Sequence, residues 1–249
     1  MKRRTLTGNL WLCLITVALV CSTACTRMVL WDKYYQEGMQ ELEQRRYPEA
    51  ENLLTLALKQ AEHFSPADQR RATNLKSLGA CLSGQERFGE AADALRRALA
   101  VEEKASGADN PDLLPTFETL SGYLEAGKEY KEALPVRKRA LALADKKLGP
   151  GAKQTLALAG SLAQCHVLNK NYAEAAGIYQ RILSMQQKAE GADSPALVPI
   201  LEKCIRVLRL SNKSAEADKL EKSLKSILHA PKKIVPVEAN AAKTESPAK

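Results

Sequence analysis

The sequence predicts an all-α array of stacked helical hairpins, and three observations carry that prediction. The segment Phe88-Gly89-Glu90-Ala91-Ala92-Asp93-Ala94-Leu95-Arg96-Arg97-Ala98-Leu99 recurs in variant form, and its marker alanine returns as Ala50, Ala91, Ala133, Ala175 and Ala217. The interval is 41 residues once and 42 thereafter, a period that marks repeated supersecondary units rather than a single closed core. Ala and Leu dominate while aromatics make up only 5% of the chain, a composition that favours helix over strand. Pro and Gly also recur in phase, with Asn110-Pro111-Asp112 and Ser194-Pro195 two periods apart.

In chain order, residues 1–25 read as a signal peptide or membrane anchor. Met1-Lys2-Arg3-Arg4 is a charged start and residues 10–20 an apolar run, the order of a secretory signal. Three fates fit Ser22-Thr23-Ala24-Cys25. One resembles the bacterial lipoprotein signal, with Cys25 lipidated, although Ser22 stands where that signal usually has Leu. The second is cleavage after Ala24, for which Ser22 and Ala24 are suitably small. The third is an uncleaved anchor, because residues 5–26 carry no charge over about the length that spans a bilayer. All three predict an exported chain, and the first and third a membrane-associated one, facing the periplasm or exterior of a bacterium.

From Trp31 the apolar spacing turns helical through Tyr34, Tyr35, Gly38, Met39 and Leu42. Tyr47-Pro48 opens the second helix, since a first turn has no use for the N–H that Pro lacks. Ser65-Pro66-Ala67-Asp68 predicts a cap, a first-turn Pro and an acid at the positive end of the next helix. Asn110-Pro111 and Ser194-Pro195 predict the same, preceded by Gly107 and Gly191, with Gly149-Pro150-Gly151 in the intervening slot. Glycine there suits the left-handed residue that ends a helix. Pro115 and Pro199 predict late or bent helix starts, and Pro135 a local irregularity. The repeats are expected over about 32–64, 65–107, 108–149, 150–191 and 192–229, inside a solenoid at 26–229. The Pro, Ala and Lys composition of 230–249 predicts a disordered basic tail.

The net charge of +8 is concentrated at the ends. Lys2, Arg3, Arg4 and Arg27 have no acid among them, and Lys232, Lys233, Lys243 and Lys249 exceed Glu238 and Glu245. The repeats are nearly neutral, with no basic stripe interleaved with aromatics, which speaks against nucleic acid as a partner.

Leu75, Leu78, Gly79, Leu82, Phe88, Ala91, Leu95 and Ala98 resemble the packing positions of the tetratricopeptide repeat. That family spaces a small residue and an alanine as Gly38 and Ala50, Gly79 and Ala91, and Ala163 and Ala175 are spaced. The long connectors resemble its kinesin-light-chain subtype. The fifth unit departs from the pattern, with Ser214 for the aromatic and Cys204-Ile205 for the Leu-small pair, as a terminal repeat with one face in water can. The resemblance implies a right-handed α-solenoid of five hairpins and ten helices. It also implies a non-catalytic scaffold that holds a protein or peptide on the concave face lined by the first helix of each hairpin. Carried over by position, the candidate groove residues are Tyr35 and Met39, Lys76 and Ser83, Glu118 and Glu125, Gln164, and Lys203, Arg206 and Arg209. The face then runs from aromatic and Met, through carboxylates, to a basic end, and a peptide could take its register from that order. The Lys and Asn set with which some members hold a C-terminal carboxylate is absent. The alternative is a structural subunit of an envelope assembly, docking by its convex face or loop edges.

Catalysis is not expected. Cys13, Cys21 and Cys25 lie in the leader, and Cys81, Cys165 and Cys204 are too far apart in the array to bridge. His63, His166 and His229 have no neighbours at metal-ligand spacing. There is no phosphate loop or nucleophile elbow, so neither a cofactor, a metal nor a small-molecule substrate is expected.

Overall fold

The computed structural model describes residues 25–229, and the signal or anchor before Cys25 and the tail from 230 lie outside the described residues. Among those described, all regular structure is helical. Helix α1 runs from 25 to 43. It is followed by α2 (Tyr47–Ala61), α3 (Gln69–Gly84), α4 (Phe88–Ser106), α5 (Leu114–Ala126), α6 (Tyr130–Lys147), α7 (Lys153–Leu168), α8 (Tyr172–Glu190), α9 (Val198–Leu210) and α10 (Ser214–His229). The chain divides into two compact units, up to Ile182 and from Leu183 onward.

The repeated motif marks helix starts. Tyr47, Phe88, Tyr130, Tyr172 and Ser214 are each the first residue of the second helix of a hairpin. The turns before them rest on a feature that the sequence does not advertise. Arg45, Glu86, Lys128, Lys170 and Asn212 all take a positive φ, between 59° and 62°, where a side chain costs about 1–2 kcal/mol. The turn recovers part of that by satisfying carbonyls left over at the end of α3: Glu86 N–H donates to Ser83 O at 2.9 Å and Arg87 N–H to Leu82 O at 3.0 Å. The longer connectors use glycine as expected, with Gly107 at φ 85° and Gly149 at φ 90°.

Asn110 Oδ1 accepts from Asp112 N–H at 3.0 Å and Ser194 Oγ from Ala196 N–H at 3.3 Å, each capping a 3-10 turn, Pro111–Leu113 or Pro195–Leu197. Pro115 and Pro199 then fall in the first turns of α5 and α9, where they remove no helical hydrogen bond. Pro135 lies inside α6, which runs unbroken. The carbonyl it leaves without an N–H partner belongs to Lys131, an exposed residue. The expectation for residues 65–68 needs correction. Ser65–Asp68 form a turn, and Asp68 itself is the cap of α3, accepting from Arg70 N–H at 3.0 Å while its carboxylate pairs with the Arg70 guanidinium at 2.7 Å.

That side-chain hydrogen bond holds the Asp68 carboxyl below the ordinary range, against the opposing effect of its burial. A depressed folded value places the stabilisation above the unfolded value near 3.9 and removes it as pH falls through the folded one. Asp68→Ala should therefore cost about 1 kcal/mol at pH 7. The deficit should shrink in acid, because a protonated carboxyl loses the ion pair but can still accept from Arg70 N–H, and denaturant titrations at two pH values would read both.

In the first unit each helix packs against its neighbours in sequence. The small residues set the approach. A Cβ on Gly79 would run into Leu95 Cδ2 and lie 3.3 Å from Ala91 O, and one on Gly38 would lie 3.0 Å from Leu54 Cγ. Leu58, Ala72, Leu75, Ala98 and Val101 form one buried cluster, and Ala50, Leu54 and Cys81 another. On the outer side, Arg87 reaches Glu51 at 2.6 Å, Arg139 reaches Glu103 at 2.6 Å, Arg181 reaches Asp145 at 3.1 Å, and Arg96 pairs with Glu132. All four pairs span 36 residues and tie second helices of successive hairpins. Being exposed, each contributes only about 0.2–1 kcal/mol. In the second unit α9 packs on α10, with Leu201 and Leu208 fully buried.

Candidate functional site

The first helices of the hairpins form a continuous row in the first unit. Tyr35 on α1 and Ser77 on α3 share a hydrogen bond of 3.2 Å between their hydroxyls. Ser83 on α3 acts on Tyr123 of α5, whose phenol is pushed up by burial and partly drawn back by the Ser83 side chain. Glu125 on α5 acts electrostatically on the thiol of Cys165 on α7.

Along this row the candidate residues divide into two kinds. Tyr35 stacks on Trp31 with centroids 5.0 Å apart, and with its bond to Ser77 it is part of the packing. Lys76 donates to Glu102 Oε1 at 2.6 Å, while Thr116 Oγ1 donates to Glu102 Oε2 at 2.7 Å. Glu102 is buried, so Lys76 is held as the partner of an interior carboxylate. Glu125 takes a two-pronged grip from Arg137, at 2.5 and 2.9 Å. Ser83 faces the Tyr123 phenol. Met39 is half-buried. Glu118 and Gln164 are exposed and their side chains make no hydrogen bond or ion pair among the described residues. Between them the surface is open, with no atom within 4 Å of where a Cβ on Gly122 or Gly160 would stand.

In the second unit Lys203, Arg206 and Arg209 are exposed on α9. Arg209 pairs with Glu221 of α10 at 2.8 Å; Lys203 and Arg206 have no ion pair among the described residues. Beside them Glu202, Ile205, Arg206, Arg209, Leu210, Glu221 and Leu224 line an open groove of about 490 Å³.

The buried thiols lack the character of nucleophiles. Desolvation pushes Cys165 up to about 11, helped by the Glu125 charge, and Cys204 up to about 12, whereas reactive thiols lie low. His166 is buried, with Nδ1 unpartnered. Burial first, and the Lys138 charge second, lower its proton affinity and keep it neutral near pH 7. Among the described residues no three metal-type side chains converge, and no helix is long and apolar enough to cross a membrane.

The tetratricopeptide repeat profile matches residues 32–104 and 112–188. The chain belongs to the tetratricopeptide repeat family. Solved structures share the fold at low identity. Nearly identical tetratricopeptide-like repeats of a Podosopora anserina protein assigned to the kinesin light chains align at TM-score 0.63 and 19% identity, over 79% of this chain and 94% of that one. BtubC (BKLC) from P. vanneervenii aligns at 0.58 and 15%, over 85% of each chain. The apo form of RapI aligns at 0.61 and 14%, over 80% of this chain and 54% of that one. No curated protein sequence matches significantly. Tetratricopeptide repeat proteins are typically interaction scaffolds that bind proteins or peptides, and no enzymatic family is indicated.

Proposed function

We propose that the chain is a non-catalytic adaptor, exported and tethered to a membrane by its N-terminus, that binds an extended protein segment on its first-helix faces. The observation that carries this reading is the open, uncommitted surface around Glu118, Gly122, Gly160 and Gln164, where polar side chains without internal partners flank a floor of small residues. A peptide backbone can approach such a floor closely, and its side chains take their register from the flanking groups. The exposed Lys203 and Arg206 on α9 suit an acidic stretch of the partner. Tethering rests on the charged start, the apolar run and Cys25, which is exposed at the head of α1. Lipidation of Cys25 is the favoured attachment.

Photo-crosslinking in the native host tests both parts. A probe at Glu118 on the open face is compared with one at Lys138, exposed on α6. One dominant protein captured from Glu118 alone is the expected result. Capture from Lys138 alone would overturn the groove reading in favour of a subunit docking by its outer face. In a parallel culture Cys25→Ser should abolish incorporation of labelled fatty acid. Unchanged labelling would rule out Cys25 as the attachment point, and an unlabelled parent would remove the lipid tether.

A further inference from the structure

The groove between α9 and α10 is open, and apolar surface is left uncovered beside it. Leu210 is 48% and Leu228 61% exposed, next to the half-buried Leu224. The chain continues for twenty residues beyond His229, and that continuation has the composition to cover the face. We infer that Ile234-Val235-Pro236-Val237 docks in this groove, with the tail folded back antiparallel to α10.

Three features carry the assignment. Pro231 and Pro236 disfavour continuation of α10 through the segment, which suits an extended path off the helix axis. Its reach is sufficient. At about 3.3 Å per residue, residues 230–233 cover ~13 Å, while Leu224 lies only ~7.5 Å before His229 along a helix rising 1.5 Å per residue.

Charge order fixes the direction. Because α9 runs antiparallel to α10, a strand returning from His229 meets Glu202 first, then Ile205 and Leu224, then Arg206, with Arg209 beside it already paired with Glu221. The tail presents Lys232 and Lys233 first, then the four apolar residues, then Glu238. Acid, apolar and basic positions of the groove thus face basic, apolar and acidic positions of the tail. The composition of the tail gives it too little apolar surface to form a core of its own, and the groove offers that surface. This inference does not depend on the open face around Glu118 and Gln164, but the tail and an acidic stretch of a partner would compete for Arg206.

A photo-crosslinking residue at Val235 in the full-length chain tests it. Crosslinks within one chain, confined to Ile205, Leu210 and Leu224, are expected. Ser226 is nearer in sequence but about 200° round the helix from Leu224, so an undocked tail would label it at least as well. Labelling of both faces of α10 would overturn the inference, and so would crosslinks only between chains, which would make a second copy the occupant. Glu238→Lys should reduce the yield severalfold and Arg206→Glu in the same chain should restore it; an unchanged yield would refute the charge register. A second measurement guards against a probe that itself blocks docking. Hydrogen exchange over residues 220–229 should be faster in a chain ending at His229 than in the full chain, and equal rates would sink the idea.

Discussion

Phe117→Ala should be the most damaging single truncation in the middle of the array, lowering stability by about 4 kcal/mol. The ring is 2% exposed on α5 and the Arg139 guanidinium lies 4.9 Å from its centroid. Truncation removes a large buried side chain and strips the cation of its aromatic face, and the rigid helices around it cannot close the space. The equivalent positions in neighbouring repeats are Leu75, Ala159 and Leu201, so the third hairpin depends on this residue for volume that its neighbours obtain differently. In an array with nearest-neighbour coupling the loss stays local. Amide protection in α5 and α6 should collapse well before that in α2 and α3, and Phe117→Leu should retain most of it. Uniform loss over all helices, or a cost under about 1.5 kcal/mol, would mean that the hairpins do not pack as separate layers.

What could be read from the sequence was whatever repeats at the level of one residue type. The helix starts at Tyr47, Phe88, Tyr130 and Tyr172, the caps at Asn110 and Ser194 and the close approach at Gly79 each follow from local chemistry. The left-handed turns at Arg45, Glu86, Lys128, Lys170 and Asn212 were hidden because no glycine marks them. Only their common place two residues before each motif would have pointed to them. Glu102 was hidden for a different reason: its counterparts are Ala61 and Ala144, so nothing periodic announces an interior carboxylate with Lys76 and Thr116 as its partners. The same gap separated the groove candidates. Position in the repeat placed Lys76, Ser83, Glu125 and Arg209 on first helices, but whether each is free depends on what stands opposite, which is a matter of three-dimensional register. One signal was available: opposite charges 36 residues apart recur as Glu51 and Arg87, Arg96 and Glu132, Glu103 and Arg139, and Asp145 and Arg181.

Glu125 and Arg137 give the second large effect, and it separates a packing role from a ligand-binding one. Their side chains are 21% and 12% exposed and joined by two hydrogen bonds. Arg137→Ala leaves the carboxylate half-desolvated beside Cys165 with its counter-charge gone. Because the site is only partly open to water, the cost should be about 3 kcal/mol, the lower end of the range for breaking an interior ion pair. The fifth hairpin offers the control. Arg209 and Glu221 occupy the equivalent places with the charges exchanged, at 2.8 Å, so the hairpin geometry tolerates either polarity. Glu125→Arg combined with Arg137→Glu should therefore recover most of the loss, within about 1 kcal/mol of the parent in a double-mutant cycle. Glu125→Gln alone should lose stability whether or not a partner is present. If instead the single substitutions leave the melting curve unchanged while abolishing capture from a probe at Glu118, Glu125 is a ligand contact and its pairing with Arg137 is exchanged for one with the bound segment.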